Sequence, residues 1–90
     1  MTRIVYEPGL PALEFSGHAG AGERGQDPVC AALSILLFTL CEGEQAAQIR
    51  LRDGWCRVRG GDRRSYELIA GGCRLLAERY PAHVAMEVRP

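Results

Sequence analysis

Residues 12–42 read A-L-E-F-S-G-H-A-G-A-G-E-R-G-Q-D-P-V-C-A-A-L-S-I-L-L-F-T-L-C-E, and the architecture follows from this stretch. Leu13 and Phe15 alternate with polar neighbours, which predicts a strand over Ala12–Ser16. Residues 17–26 carry four glycines and no apolar periodicity, the composition of a loop. Asp27-Pro28 then opens a helix, because Asp accepts the orphan N–H groups of a first turn and Pro lacks the N–H that a first position does not use. Residues 29–42 are apolar nearly all round, so this helix is expected to be buried on most sides. Gly43 is its expected stop.

Outward from this unit the pattern is regular. Upstream, Thr2–Glu7 alternates as a strand and Pro8-Gly9-Leu10-Pro11 forms a turn. Downstream, residues 46–52 and Trp55–Arg59 read as two strands joined by Asp53-Gly54, a two-residue hairpin signal. That turn pairs Leu51 with Cys56 and Ile49 with Val58 on the inner face, and sets Arg50 opposite Arg57 on the outer face. A second helix is predicted over residues 63–80, capped by Asp62. Tyr66, Ile69, Ala70, Cys73, Leu76, Ala77 and Tyr80 form its apolar stripe. Gly71-Gly72 inside it costs about 1 kcal/mol per glycine relative to alanine, so close packing against another backbone is expected there. Pro81 ends the helix, and residues 82–89 form a last strand with Val84, Met86 and Val88 on one side. The predicted fold is α/β: a single two-layer domain over residues 1–90, in ββαββαβ order, with a mixed, mostly antiparallel sheet and two helices.

Ninety residues support one core and not two. The formal net charge is zero, so no global charge draws the chain to nucleic acid or membrane. All eleven basic residues are arginine. The start, MTRIVYEPG, has no apolar run, so no export signal is expected and the chain is placed in the cytoplasm. The apolar stretch at residues 29–41 is shorter than the roughly 20 residues a bilayer span needs, so no membrane role is expected. Cys30, Cys41, Cys56 and Cys73 show no C-x-x-C pair, and His18 and His83 stand far apart, so neither a metal nor any other cofactor is implied.

The chemistry concentrates between His18 and Cys30. With Asp27 as cap, Cys30 is the third helical residue, beside unsatisfied N–H groups and the positive end of the helix dipole, which favour the thiolate a nucleophile requires. A loop histidine could take the thiol proton and later protonate a leaving amine. Backbone N–H groups of the helix start or of the glycine loop could hold a tetrahedral oxyanion. Asp27 has two readings, a helix cap or the group that orients His18, with capping favoured. Gly17, Gly20 and Ser34 are candidates to line the site, although a helical serine more often bonds back to a carbonyl. Cys41, Cys56 and Cys73 are assigned to the core, and His83 to the surface.

The run Gly17-His18-Ala19-Gly20, then Glu23, Gly25, and D-x-V-C-A-A-x-S over residues 27–34 resembles the ribosomal-processing cysteine proteases, the Prp family. The similarity extends to L-A-E-R-Y-P at residues 76–81. The resemblance implies a homodimeric endopeptidase that removes the N-terminal extension of ribosomal large-subunit protein twenty-seven, with His18 and Cys30 as a catalytic dyad. Two positions depart from the family pattern: Ala21 stands where an aromatic residue is frequent, and Pro28 where isoleucine is.

Two other functions compete. Gly20-Ala21-Gly22-Glu23-Arg24-Gly25 matches G-x-G-x-x-G, but a dinucleotide site needs a parallel βαβ unit, and a hairpin follows this helix. The outer hairpin face carries Arg50, Arg52, Trp55, Arg57 and Arg59, with Arg63 and Arg64 following. That pattern would suit an RNA-associated binding module without enzymatic activity. A solvated face with glutamate neighbours is the plainer reading, and no direct nucleic-acid partner is expected.

Overall fold

The computed structural model describes residues 1–90 except Arg24 and Ala46. Five strands and two helices follow the expected order: β1 (Thr2–Glu7), β2 (Ala12–Ser16), α1 (Pro28–Gly43), β3 (Gln48–Arg52), β4 (Trp55–Arg59), α2 (Arg63–Arg79) and β5 (Val84–Val88). Helix α1 runs through Gly43 and is capped at Glu44, one residue beyond the expected stop, and Tyr80 caps α2. The expected first residue of β3, Ala46, lies outside the described residues.

The sheet order is β3-β4-β2-β1-β5, antiparallel throughout except for the parallel β1–β5 pair. Each helix therefore joins two parallel strands that are not neighbours. Helix α1 carries the chain from β2 past β4 to β3, and α2 carries it from β4 past β2 and β1 to β5. The two crossovers run in opposite directions from oppositely directed strands, so the right-handed rule puts both on one face. There the helices pack on each other.

Register explains the core. One row across the sheet is Met86, Ile4, Phe15, Cys56 and Leu51, and a second is Val88, Tyr6, Leu13, Val58 and Ile49. The central members of both rows are buried beneath the helices with Val29, Leu33, Leu40, Tyr66, Ile69 and Cys73. Exposure rises toward the edges, with Ile49 at 48% and Leu51 at 74%. The hairpin pairs as expected, Ile49 with Val58 and Leu51 with Cys56. On that inner face Cys56 and Val58 of β4 are core as expected, whereas Ile49 and Leu51 are not, because β3 is an edge strand and a cleft lined by Leu51 opens between it and α1.

Helix α1 also departs from expectation. Val29, Leu33 and Leu40 are buried, but Ile35 and Phe38 are 60% and 63% exposed. One sheet face and one neighbouring helix cannot cover a helix that is apolar on every side. In α2, a Cβ on Gly72 would come within 2.9 Å of the Leu36 side chain of α1, while one on Gly71 would meet nothing. The glycine pair thus faces a side chain rather than a backbone, and only its second member is crowded.

On the outer face, Arg57 pairs with Glu7 at 2.9 Å and lies 3.6 Å from Glu14. These carboxylates offset the charge that faces Arg50 across the ladder.

Candidate active site

The loop after β2 leaves the sheet at the tip of the β3–β4 hairpin. Gly17 has φ +82°, and a Cβ there would run into the Met1 carbonyl oxygen, so only glycine fits. Its N–H donates to the Gly54 carbonyl at 2.8 Å, fixing where the loop starts. His18 follows, exposed, with Nε2 3.6 Å from the place a Gly54 Cβ would occupy. Among the described residues its ring makes no hydrogen bond.

Ala19, next in the chain, is buried, and its N–H donates to Cys30 Sγ at 3.3 Å. At the far end of the loop, Asp27 caps α1. Its Oδ1 accepts the N–H groups of Val29 at 2.9 Å and Cys30 at 3.0 Å, and its Oδ2 accepts that of Ala21 at 2.9 Å. The Cys30 N–H does most to hold the Asp27 carboxyl below its ordinary value of 3.8, against an opposing effect of desolvation; Ala21 and Val29 add to it. Asp27 is thus a cap and a loop anchor, and neither of its oxygens is bonded to His18 among the described residues. The Ala31 N–H donates to the Asp27 carbonyl. The backbone donors of the helix start are therefore taken, which leaves the loop as the nearby source of free backbone N–H groups.

Two depressions meet at this point, and His18 and Cys30 line both. One, of about 220 Å³, runs between α1 and the hairpin and is walled by Phe15, Leu33, Leu37, Leu51 and Trp55. Gly17 and Ser34 also line it. The other, of about 270 Å³, lies within the glycine loop and includes Gly20 and Asp27. A Cβ on Gly22 would come 2.9 Å from the Gln26 carbonyl oxygen, so the loop is closely folded here. Leu51, which the hairpin pattern placed on the inner face, thus forms part of the wall of an open groove.

All four cysteines are free. Burial pushes the Cys41 and Cys56 thiols up, and Cys73 up to about 12. Among the described residues no cluster of His, Cys, Asp and Glu could hold a metal ion. On the outer hairpin face Arg52 stacks over Trp55 at 5.3 Å, and Gln48, Arg50, Trp55, Arg57 and Arg59 frame a shallow basic depression away from Cys30.

One site residue is invisible to sequence reasoning. His83, assigned to the surface, is half-buried, and its Nδ1 lies 2.9 Å from the Ala19 carbonyl oxygen. It stands 64 positions from Ala19, and no spacing signal connects the two.

The sequence model of the family described as cysteine protease Prp matches residues 2–60. Two crystal structures of an essential ribosomal processing protease Prp from S. aureus are similar over 99% of this chain and 100% of theirs. One, with a covalently linked product peptide, has TM-score 0.88 at 21% identity; the other, with a substrate peptide, has 0.80 at 20%. The crystal structure of SMU.848 from Streptococcus mutans matches with TM-score 0.70 at 26% identity, over 97% of this chain and 90% of that one. No curated protein sequence matches the chain. The matched segment holds the loop, the capped helix and the hairpin that together surround Cys30, and the chain belongs to the cysteine protease Prp family and is a cysteine protease.

Proposed function

We propose that this protease removes the N-terminal extension of ribosomal large-subunit protein twenty-seven, with Cys30 as nucleophile and His18 as its base. The observation that carries the dyad is the meeting of both side chains at the junction of two depressions, with the Ala19 N–H donated to the cysteine sulfur. The substrate class rests on family membership and on the S. aureus relatives described as ribosomal processing proteases. The groove walled by Phe15, Leu33, Leu37, Leu51 and Trp55 suits an apolar, aromatic peptide.

In the reaction, His18 takes the Cys30 proton and the thiolate attacks the scissile carbonyl carbon. The new C–S bond sends an electron pair to oxygen, where loop N–H groups stabilise the charge. Collapse breaks the C–N bond, His18 protonates the departing amine, and an acyl-enzyme remains. Water, deprotonated by His18, then releases the acid and restores the thiol. Asp27 keeps the helix start and the loop in register through its three backbone bonds.

The enzyme acts in the cytoplasm as a homodimer. Ile35 and Phe38, exposed one turn apart beside Thr39, Glu42 and Gly43, frame an open apolar depression that a second copy would cover. Among the described residues no helix is long and apolar enough to cross a membrane.

The test is a peptide spanning the extension, incubated with wild type, Cys30→Ala and His18→Ala and read by mass spectrometry. Both variants are expected to lose cleavage by about 10³-fold or more. Cleavage by Cys30→Ala would refute the dyad, and an intact peptide with active wild type on other sequences would refute the substrate.

A further inference from the structure

Ala19 is held at both ends. Its N–H donates to Cys30 Sγ at 3.3 Å, and its carbonyl oxygen lies 2.9 Å from Nδ1 of His83. A carbonyl oxygen only accepts, so Nδ1 carries the proton of this bond. His83 is itself aimed by the main chain: its N–H donates to the Tyr80 carbonyl, and its carbonyl accepts the Thr2 N–H, both at 2.9 Å. The end of α2 and the start of β1 thus set the direction of the imidazole. The loop it holds has glycines with positive φ on either side, Gly17 at +82° and Gly20 at +71°, a backbone with wide freedom unless tethered.

We propose that His83 is a positioning residue of this protease, whose Nδ1–H fixes the Ala19 peptide so that the Ala19 N–H meets the Cys30 sulfur and His18 stands over the same groove. The inference rests on the reading of Cys30 as nucleophile. An N–H aimed at the sulfur stabilises the thiolate before attack and keeps the thiol directed at the groove rather than at the core. Without the His83 donor, the Ala19 carbonyl loses its partner in a half-buried place, and the loop gains other orientations. The cost falls on attack rather than on peptide binding, because the apolar groove walls come from Phe15, α1 and the hairpin. The one lining residue bonded to His83, Thr2, is held through the main chain, which a side-chain change leaves in place.

The variants separate donor from bulk. His83→Asn keeps an N–H at nearly the distance of Nδ1 from the backbone, whereas His83→Phe keeps a ring without a donor. Two readouts are taken below the melting temperature of each variant: the rate of Cys30 alkylation by iodoacetamide, mapped by mass, and kcat and KM on the extension peptide. His83→Phe is expected to slow alkylation and kcat roughly tenfold, the equivalent of one net hydrogen bond, with KM changed less than about twofold. His83→Asn is expected to restore both to within about threefold of wild type. Wild-type rates in His83→Phe, or rates in His83→Asn as low as in His83→Phe, would overturn the proposal. A Cys30→Ala arm keeps the two readings apart. If that variant still cleaves, the nucleophile assignment falls, while the alkylation comparison still decides whether His83 governs the Ala19–Cys30 contact.

Discussion

Asp27 and Ala21 are joined by a 2.9 Å bond from the Ala21 N–H to Oδ2, so the side chain that caps α1 also ties down the loop bearing His18. Oδ1 serves the helix and Oδ2 the loop, and Cys30 stands where the two meet. The cysteine and histidine therefore share one support.

Replacing that support gives the first prediction. Asp27→Ala removes a cap and a loop anchor together and is expected to lower the melting temperature by about 5–10 °C. Asp27→Asn, still a good cap through its carbonyl oxygen, should lose less. The carboxyl sits below its ordinary value of 3.8 in the folded protein. Its contribution is thus fully present above that value and is lost as pH falls through the lower, folded one. Calorimetry across the acid range should show a shallower loss of stability in Asp27→Asn than in wild type; equal slopes would contradict the assignment.

Thiol reactivity gives the second. Burial raises Cys41, Cys56 and Cys73, the last to about 12, so limiting iodoacetamide on the native protein should label Cys30 first. Peptide mapping reads the order directly. Early adducts on Cys41, the other half-buried thiol, would count against Cys30 as the reactive group.

The glycine pair of α2 gives the third. Gly71 has open space, so Gly71→Ala should raise the melting temperature by about 4–8 °C through helix propensity alone. Gly72 faces Leu36, so Gly72→Leu should lower stability by about 1–3 kcal/mol through overpacking. Thermal melts of the two variants should move in opposite directions.

Local signals carried much of the fold. Alternation at Leu13 and Phe15, the Asp27-Pro28 start, the Asp53-Gly54 turn and the stripe from Tyr66 to Cys73 each depend on neighbours a few positions away, and each appears in the structure where its pattern put it. The position of Cys30 in the first turn of α1, capped by Asp27, was legible for the same reason. Where apolar residues failed to be core, the cause was global. Leu51 and Ile49 have the right period and the right partners, but the chain ends the sheet at β3 and lays α1 short of it.

By itself, then, the sequence determined the elements, the order, and the helix start that carries the cysteine, because caps, turns and periodicity are short-range. The tertiary structure alone decided three things. The strand order made β3 an edge and turned Leu51 into part of a groove wall. The α1–α2 packing singled out Gly72 from Gly71. The parallel β1–β5 pairing brought His83 against Ala19. Each joins residues tens of positions apart, and such contacts exist only once burial of the whole core has repaid the closure of the chain between them.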